Sequence, residues 1–211
     1  IARNFNAHIK ANRAVVDGVS TFPDDVLIEG NEFYNTTVRQ TANPVTPIDV
    51  VGGRRWIIRR NYIHDHAKGQ GNQISYAAFL KGNSRDGLFA QNLVVCEQLH
   101  QGQTRLGLSF GGGGSGPDEI CEDATCSPEH QNGLMRNNIV VNCPADVGVF
   151  VRECDDCRVV HNTLYNTTGI DFIENSTGRA DYNLLMGRVR DRQGSSTQRA
   201  GNLDQLQASD F

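Results

Sequence analysis

One short pattern recurs along this chain and constrains its fold more than any other feature. Two or three apolar residues are followed by a polar pair, an asparagine, and then apolar residues in alternation. It reads Leu27-Ile28-Glu29-Gly30-Asn31-Glu32-Phe33-Tyr34, then Ile57-Ile58-Arg59-Arg60-Asn61-Tyr62-Ile63-His64, then Leu88-Phe89-Ala90-Gln91-Asn92-Leu93-Val94-Val95. Further copies centre on Asn138 and Asn162, a weaker one ends on Asn183-Leu184-Leu185, and the opening Ile1-Ala2-Arg3-Asn4 fits the same frame. The anchors Asn4, Asn31, Asn61, Asn92, Asn138, Asn162 and Asn183 are spaced 27, 30, 31, 46, 24 and 21 residues apart. The long interval contains an evident insertion, residues 111–128, rich in Gly and carrying two Cys. A fixed period of this size is the signature of a repeat architecture.

Each repeat carries a second apolar run, such as Ile48-Asp49-Val50-Val51, Ala77-Ala78-Phe79-Leu80, Leu106-Gly107-Leu108-Ser109-Phe110 and Val147-Gly148-Val149-Phe150-Val151. A repeat is therefore two or three short strands separated by Gly, Asn and Asp turns. None contains a convincing amphipathic helix, which argues against a leucine-rich horseshoe or a βαβ sheet. The expected fold is all-β: a single-stranded parallel β-helix, or solenoid, of about six to seven coils, in which equivalent strands pair about 4.8 Å apart. Asparagine suits its corners twice over. It tolerates the left-handed backbone of a tight turn, and its amide can hydrogen-bond along a stack of identical residues.

Composition excludes other classes. The net charge of −4 has no basic block, so no nucleic-acid partner is expected. No apolar stretch approaches the roughly 18 residues of a transmembrane helix. The repeats occupy 1–185, and 186–211 reads as a polar C-terminal extension. With residue 1 inside a repeat and no capping element, the chain is expected to be a piece of a longer protein whose open solenoid ends allow self-association.

The repeats, above all Val160-His161-Asn162-Thr163-Leu164-Tyr165-Asn166, resemble the right-handed parallel β-helix, or pectin-lyase-like, superfamily. Right-handed coiling is what this resemblance implies. A narrower similarity is to β-helix polysaccharide lyases of the chondroitinase B and alginate lyase type. These use a Lys at the position of Lys81, an Arg about one coil later, and acidic calcium ligands shortly before the Lys. Lys81 matches; Ile74, Ser75 and Tyr76 stand where the acids would be, and Phe110 or Gly111 where the Arg would be.

Six Cys residues allow fifteen pairings. Cys96 and Cys143 follow successive anchors by four and five residues, which places them at one corner of adjacent coils. Cys121 and Cys126 can close the insertion, and Cys154 and Cys157 flank a turn. Three such disulfides imply an extracellular, periplasmic or cell-surface location. The alternative is a Cys₄ zinc site built from Cys121, Cys126, Cys154 and Cys157.

Function in a solenoid lies where side chains of several coils align. The frame puts Lys81 and Arg152 on one face, two coils or ~9.6 Å apart, with Gly111 and Gly112 as a shallow floor between them and Arg85 and Arg105 nearby. Of the three lysines, Lys10, Lys68 and Lys81, only Lys81 is expected on a face where a lysine matters. Cations there suit the carboxylates of an acidic polysaccharide. If the protein cleaves or epimerises that glycan, Lys81 is the candidate base, Arg152 or Arg105 the neutralising cation, and His64 or His66 the acid. His64 and His66 would point the same way on a strand and, with Glu97 and His100 beyond them, could bind a metal. Asp118, Glu119, Glu122 and Asp123 in the insertion are candidate calcium ligands. Asn35, Asn166 and Asn175 head Asn-x-Ser/Thr sequons. The competing function is that of a non-catalytic adhesin, filament subunit or surface spacer.

Overall fold

A computed structural model describes residues 6–211; the anchor Asn4 lies outside them. The chain is all-β, with long parallel sheets in which strands pair in chain order. The first sheet is seven-stranded: Ile9–Ala11, Ile48–Val51, Ile74–Lys81, Thr104–Phe110, Val149–Arg152, Gly169–Ile173 and Arg188–Asp191. A second, also seven-stranded, runs from Leu27–Glu29 through Ile57–Arg59, Leu88–Ala90, Leu134–Arg136, Cys157–Val160 and Thr177–Asp181 to Ser196–Ala200. A third holds six strands, from Glu32–Tyr34 to Leu184–Leu185. A three-stranded sheet (Ser84–Arg85, His130–Gln131, Cys154–Asp155) and an antiparallel hairpin (Ala14–Val16, Val19–Thr21) complete the set. A solenoid fits this pairing.

Register stacks like on like. Ile28, Ile58, Phe89, Met135, Val159 and Ala180 form one buried row across the second sheet. Phe33, Ile63, Val94, Val140, Leu164 and Leu185 form another across the third. Apolar residues at every second position of short strands produce these rows, because side chains alternate faces along a strand. Beyond residue 185, Arg188–Asp191 and Ser196–Ala200 each add a parallel strand to an existing sheet.

The corner differs from the sequence expectation in which residue bends. The left-handed backbone falls one position before each anchor: Gly30, Arg60, Gln91, Asn137, His161, Tyr182 and Gly201 all have positive φ. The Asn that follows turns its amide inward. Its Oδ1 accepts from the backbone N–H and the side-chain amide of the Asn one repeat earlier, as Asn138 does from Asn92 at 3.0 and 2.9 Å. Its Nδ2 donates to a strand carbonyl of that earlier repeat, Asn138 to Phe89 at 3.0 Å. The same bonds recur at every rung from Asn61 to Asn202. Asn202 is a rung the repeat count omits, although Gly201-Asn202 repeats the Gly30-Asn31 pair.

The disulfides are Cys96–Cys143, Cys121–Cys126 and Cys154–Cys157. None of these thiols is left free to ligate zinc. Three disulfides, with no helix among the described residues long and apolar enough to cross a membrane, are consistent with an extracellular location.

Candidate functional site

The first sheet turns Ile48, Val50, Leu80, Phe110 and Val151 into the core, so their neighbours face outward. One outward row runs Lys10, Asp49, Phe79, Ser109, Phe150, Asp171, Arg190. Lys81 pairs with Val51 two positions further along. Continuing the register of Leu80, Phe110 and Val151 brings Gly111 and then Arg152 level with Lys81.

A cleft of about 520 Å³ opens over this face, lined by Lys10, Arg13, Asp49, Phe79, Lys81 and Ile120 among others. A second hollow of about 360 Å³ shares Pro44, Phe79 and Lys81 with it and adds Lys68 and Tyr76. Lys10 and Lys81 line the first hollow, and Lys81 with the buried Lys68 lines the second. Lys10 and Lys68, unremarkable in the sequence, are brought in by register and by a loop. Lys10 Nζ lies 2.7 Å from Asp49. Lys68 Nζ donates to Asn72 Oδ1 at 2.7 Å. Lys81 Nζ donates to the Gly114 carbonyl at 2.5 Å and sits 4.9 Å from the centre of the Phe79 ring. Burial lowers the Lys81 pKa, against the opposing fields of Asp49 and Glu129. Burial and the field of Asp146 push the Tyr76 phenol up to about 12, so it stays protonated.

Gly111 continues the ladder between Lys81 and Arg152, and the glycine run beyond it rises over the outward face. A Cβ on Gly112 would lie 3.1 Å from the Phe79 ring, and one on Gly113 would lie 3.6 Å from the Tyr76 hydroxyl. A Cβ on Gly114 would overlap the Arg152 guanidinium. The run thus crosses the outward face between Lys81 and Arg152. Its anchor is Glu129, which the sequence reading missed. This buried carboxylate accepts from Gly82 N at 2.6 Å, from Ser115 Oγ at 2.7 Å and from Ser115 N.

The other candidates are dispersed. Arg152 is ion-paired, with Glu174 at 2.6 Å and Glu153 at 3.3 Å. Arg105 is fully buried and away from the cleft; it donates to the carbonyls of Gly102 and Cys96. Arg85, 3.9 Å from Glu122, belongs to the three-stranded sheet. His64 and His66 do not project together, because the strand ends at His64 and Asp65 takes a positive φ. His64 is buried between the rings of Tyr34 and Tyr62 with Nδ1 2.6 Å from Asp65. His66 is buried against the Leu106 carbonyl, 3.0 Å away. The four acids of the insertion point to different partners. Glu122 turns to Arg54, Asp123 caps the backbone of Thr125 and Cys126, and Asp118 and Glu119 lie in the 3₁₀ turn Asp118–Ile120. Among the described residues no three His, Cys, Asp or Glu side chains gather as a metal site. Glu97 and His100 are no exception, Glu97 accepting from Gly102 N at 3.0 Å. Of the sequons, Asn35 is buried and accepts from Arg39, whereas Asn166 and Asn175 are exposed.

The buried histidines set a pH dependence. Burial lowers His66, helped by the Arg105 charge, and burial alone lowers His130, each to about 3. Unfolded histidine titrates near 6.5. Between those values the unfolded chain binds protons that the folded chain refuses, so stability is full above about pH 6.5 and declines as the pH falls toward 3. Near pH 5 the two groups together give a slope of about 2.7 kcal/mol per pH unit. Denaturant titrations at stepped pH measure it, and a flat profile between pH 6.5 and 4.5 would contradict the assignment.

No family model, curated protein or solved structure matches the chain.

Proposed function

We propose that the chain is a right-handed parallel β-helix of pectin-lyase-like type, of six to seven coils, that binds an acidic polysaccharide outside the cell or at its surface. The observation that carries this reading is a pair of adjoining hollows that share Lys81 and Phe79, one lined also by Lys10 and the other by Lys68 and Tyr76. Ammonium groups pair with uronate carboxylates, and an aromatic face suits the apolar side of a sugar ring. Asp49 is the one carboxylate lining these hollows.

Lys81, with its lowered pKa, is also the group suited to take a proton from a bound uronate, as cleavage or epimerisation requires. The ion pairs of Arg152 with Glu174 and Glu153 favour a second reading, in which the site binds without reacting, as in an adhesin or surface spacer.

A glycan array followed by titration with alginate, pectate and chondroitin sulfate tests the proposal. Acidic glycans are expected to bind and neutral ones not to. Lys81→Ala is expected to weaken binding about tenfold, or ~1.4 kcal/mol, and added salt to weaken it further. Equal binding of neutral and acidic glycans would refute the reading. Ultraviolet absorbance from an unsaturated product separates the reactive form from the purely binding one.

A further inference from the structure

We infer that the cleft receives the end of an acidic glycan chain and closes against its middle, an inference that rests on the binding reading above. A polymer bound through its interior needs a groove open at both ends, and the outward face of the first sheet is crossed. Residues 112–114 pass over it between Lys81 and Arg152, in reach of the Tyr76 hydroxyl and the Phe79 ring. Three attachments hold this segment. Lys81 Nζ bonds the Gly114 carbonyl at 2.5 Å, Ser115 bonds the buried Glu129, and Gly111 N bonds the Leu80 carbonyl at 2.9 Å.

Charge reinforces the barrier. On the near side the cleft holds Lys10, Arg13 and Lys81 against Asp49, with the buried Lys68 in the adjoining hollow. On the far side three arginines are matched by carboxylates, where the near side has the single pair of Lys10 with Asp49. Arg152 pairs with Glu174 and Glu153, and Arg190 and Arg192 pair with the buried Asp171 at 2.5 and 2.8 Å. An acidic chain that crossed the barrier would meet Glu153 and Glu174 beside Arg152. From the strand of Lys10 to that of Lys81 is two strand spacings, ~9.6 Å, a length that a disaccharide fills.

The test is calorimetric titration with galacturonate and mannuronate oligomers and their parent polymers, and with chondroitin sulfate of matched lengths. Affinity is expected to rise from monosaccharide to disaccharide and then to stay within about threefold up to the octasaccharide. The binding capacity of a polymer, per gram, is expected to double when its mean chain length is halved, because ends and not length are counted. Capacity unchanged by that cleavage, or several protein molecules on one uncut chain, would overturn the inference while leaving acidic-glycan binding intact. Failure of every acidic oligomer and polymer to bind would remove the functional reading and this inference with it.

Discussion

Asn138→Ala is expected to cost about 4 kcal/mol of stability. The side chain makes four bonds. Oδ1 accepts from Asn92 N and Nδ2, and Nδ2 donates to the Phe89 carbonyl and to Asn162 Oδ1, all at 2.9–3.0 Å. Every partner is buried, so truncation leaves polar groups without water to replace the lost amide. A buried N–H left without an acceptor costs more than a hydrogen bond contributes. Glutamine should not rescue, because the extra methylene displaces both ends of the amide. Asn202→Ala is the internal comparison. It removes the last rung, which is only partly buried, and solvent can take over its bonds, so its expected cost is about 1 kcal/mol. Guanidinium unfolding of both variants decides the matter: equal costs would mean that the ladder is decoration on a fold held by its apolar rows.

Replacing Cys96 and Cys143 together by Ala is expected to cost a further amount of the same order, about 4 kcal/mol. The bridge closes a loop with a sequence separation of 47, whereas Cys121–Cys126 closes one of 5. Loop-closure entropy in the unfolded chain grows with the logarithm of that length, so the short bridge is worth about 2 kcal/mol. The two double variants, unfolded under non-reducing conditions, should therefore rank in that order. The longer bridge also ties together the repeats on either side of the insertion, where Cys96 N already bonds the Val141 carbonyl at 3.0 Å. An equal loss from both variants would show that chain entropy is not the source of the stabilisation.

Much of the architecture was readable before any coordinates. Alternation of apolar residues beside a recurrent Asn identified the buried rows and the ladder, and equivalence between repeats paired Cys96 with Cys143, whereas the other two pairs rested on closeness in sequence against a zinc alternative. The error at the corner is instructive. Asn can adopt a left-handed backbone, yet here Arg60, Gln91 and His161 take that strain so that the following amide can point inward. Four hydrogen bonds per rung outweigh a cost of about 1–2 kcal/mol for a non-glycine residue there. The histidines failed for a related reason. A strand would send His64 and His66 to one side, but the positive φ of Asp65 ends the alternation between them.

The candidate site was less legible, because its parts come from distant positions. Lys81 and Arg152 do share a register, and that much follows from counting. Whether their charges are free does not. Arg152 meets Glu174 one strand further on, and Lys81 meets a carbonyl from the insertion. Nothing in the local pattern marks Lys10 or Lys68, and nothing marks Arg105 as buried.

The repeat alone, then, dictated which side chains face inward and which residues stack, since both depend on a period that the chain states openly. The path of the 111–128 insertion came only from the folded molecule. Glu129 reaches back across 47 positions to Gly82 and holds Ser115 beside it. That one buried carboxylate draws the glycine run over the sheet and turns a row of outward side chains into a walled cleft. Such a contact has no period, and so leaves no trace in the spacing of residues.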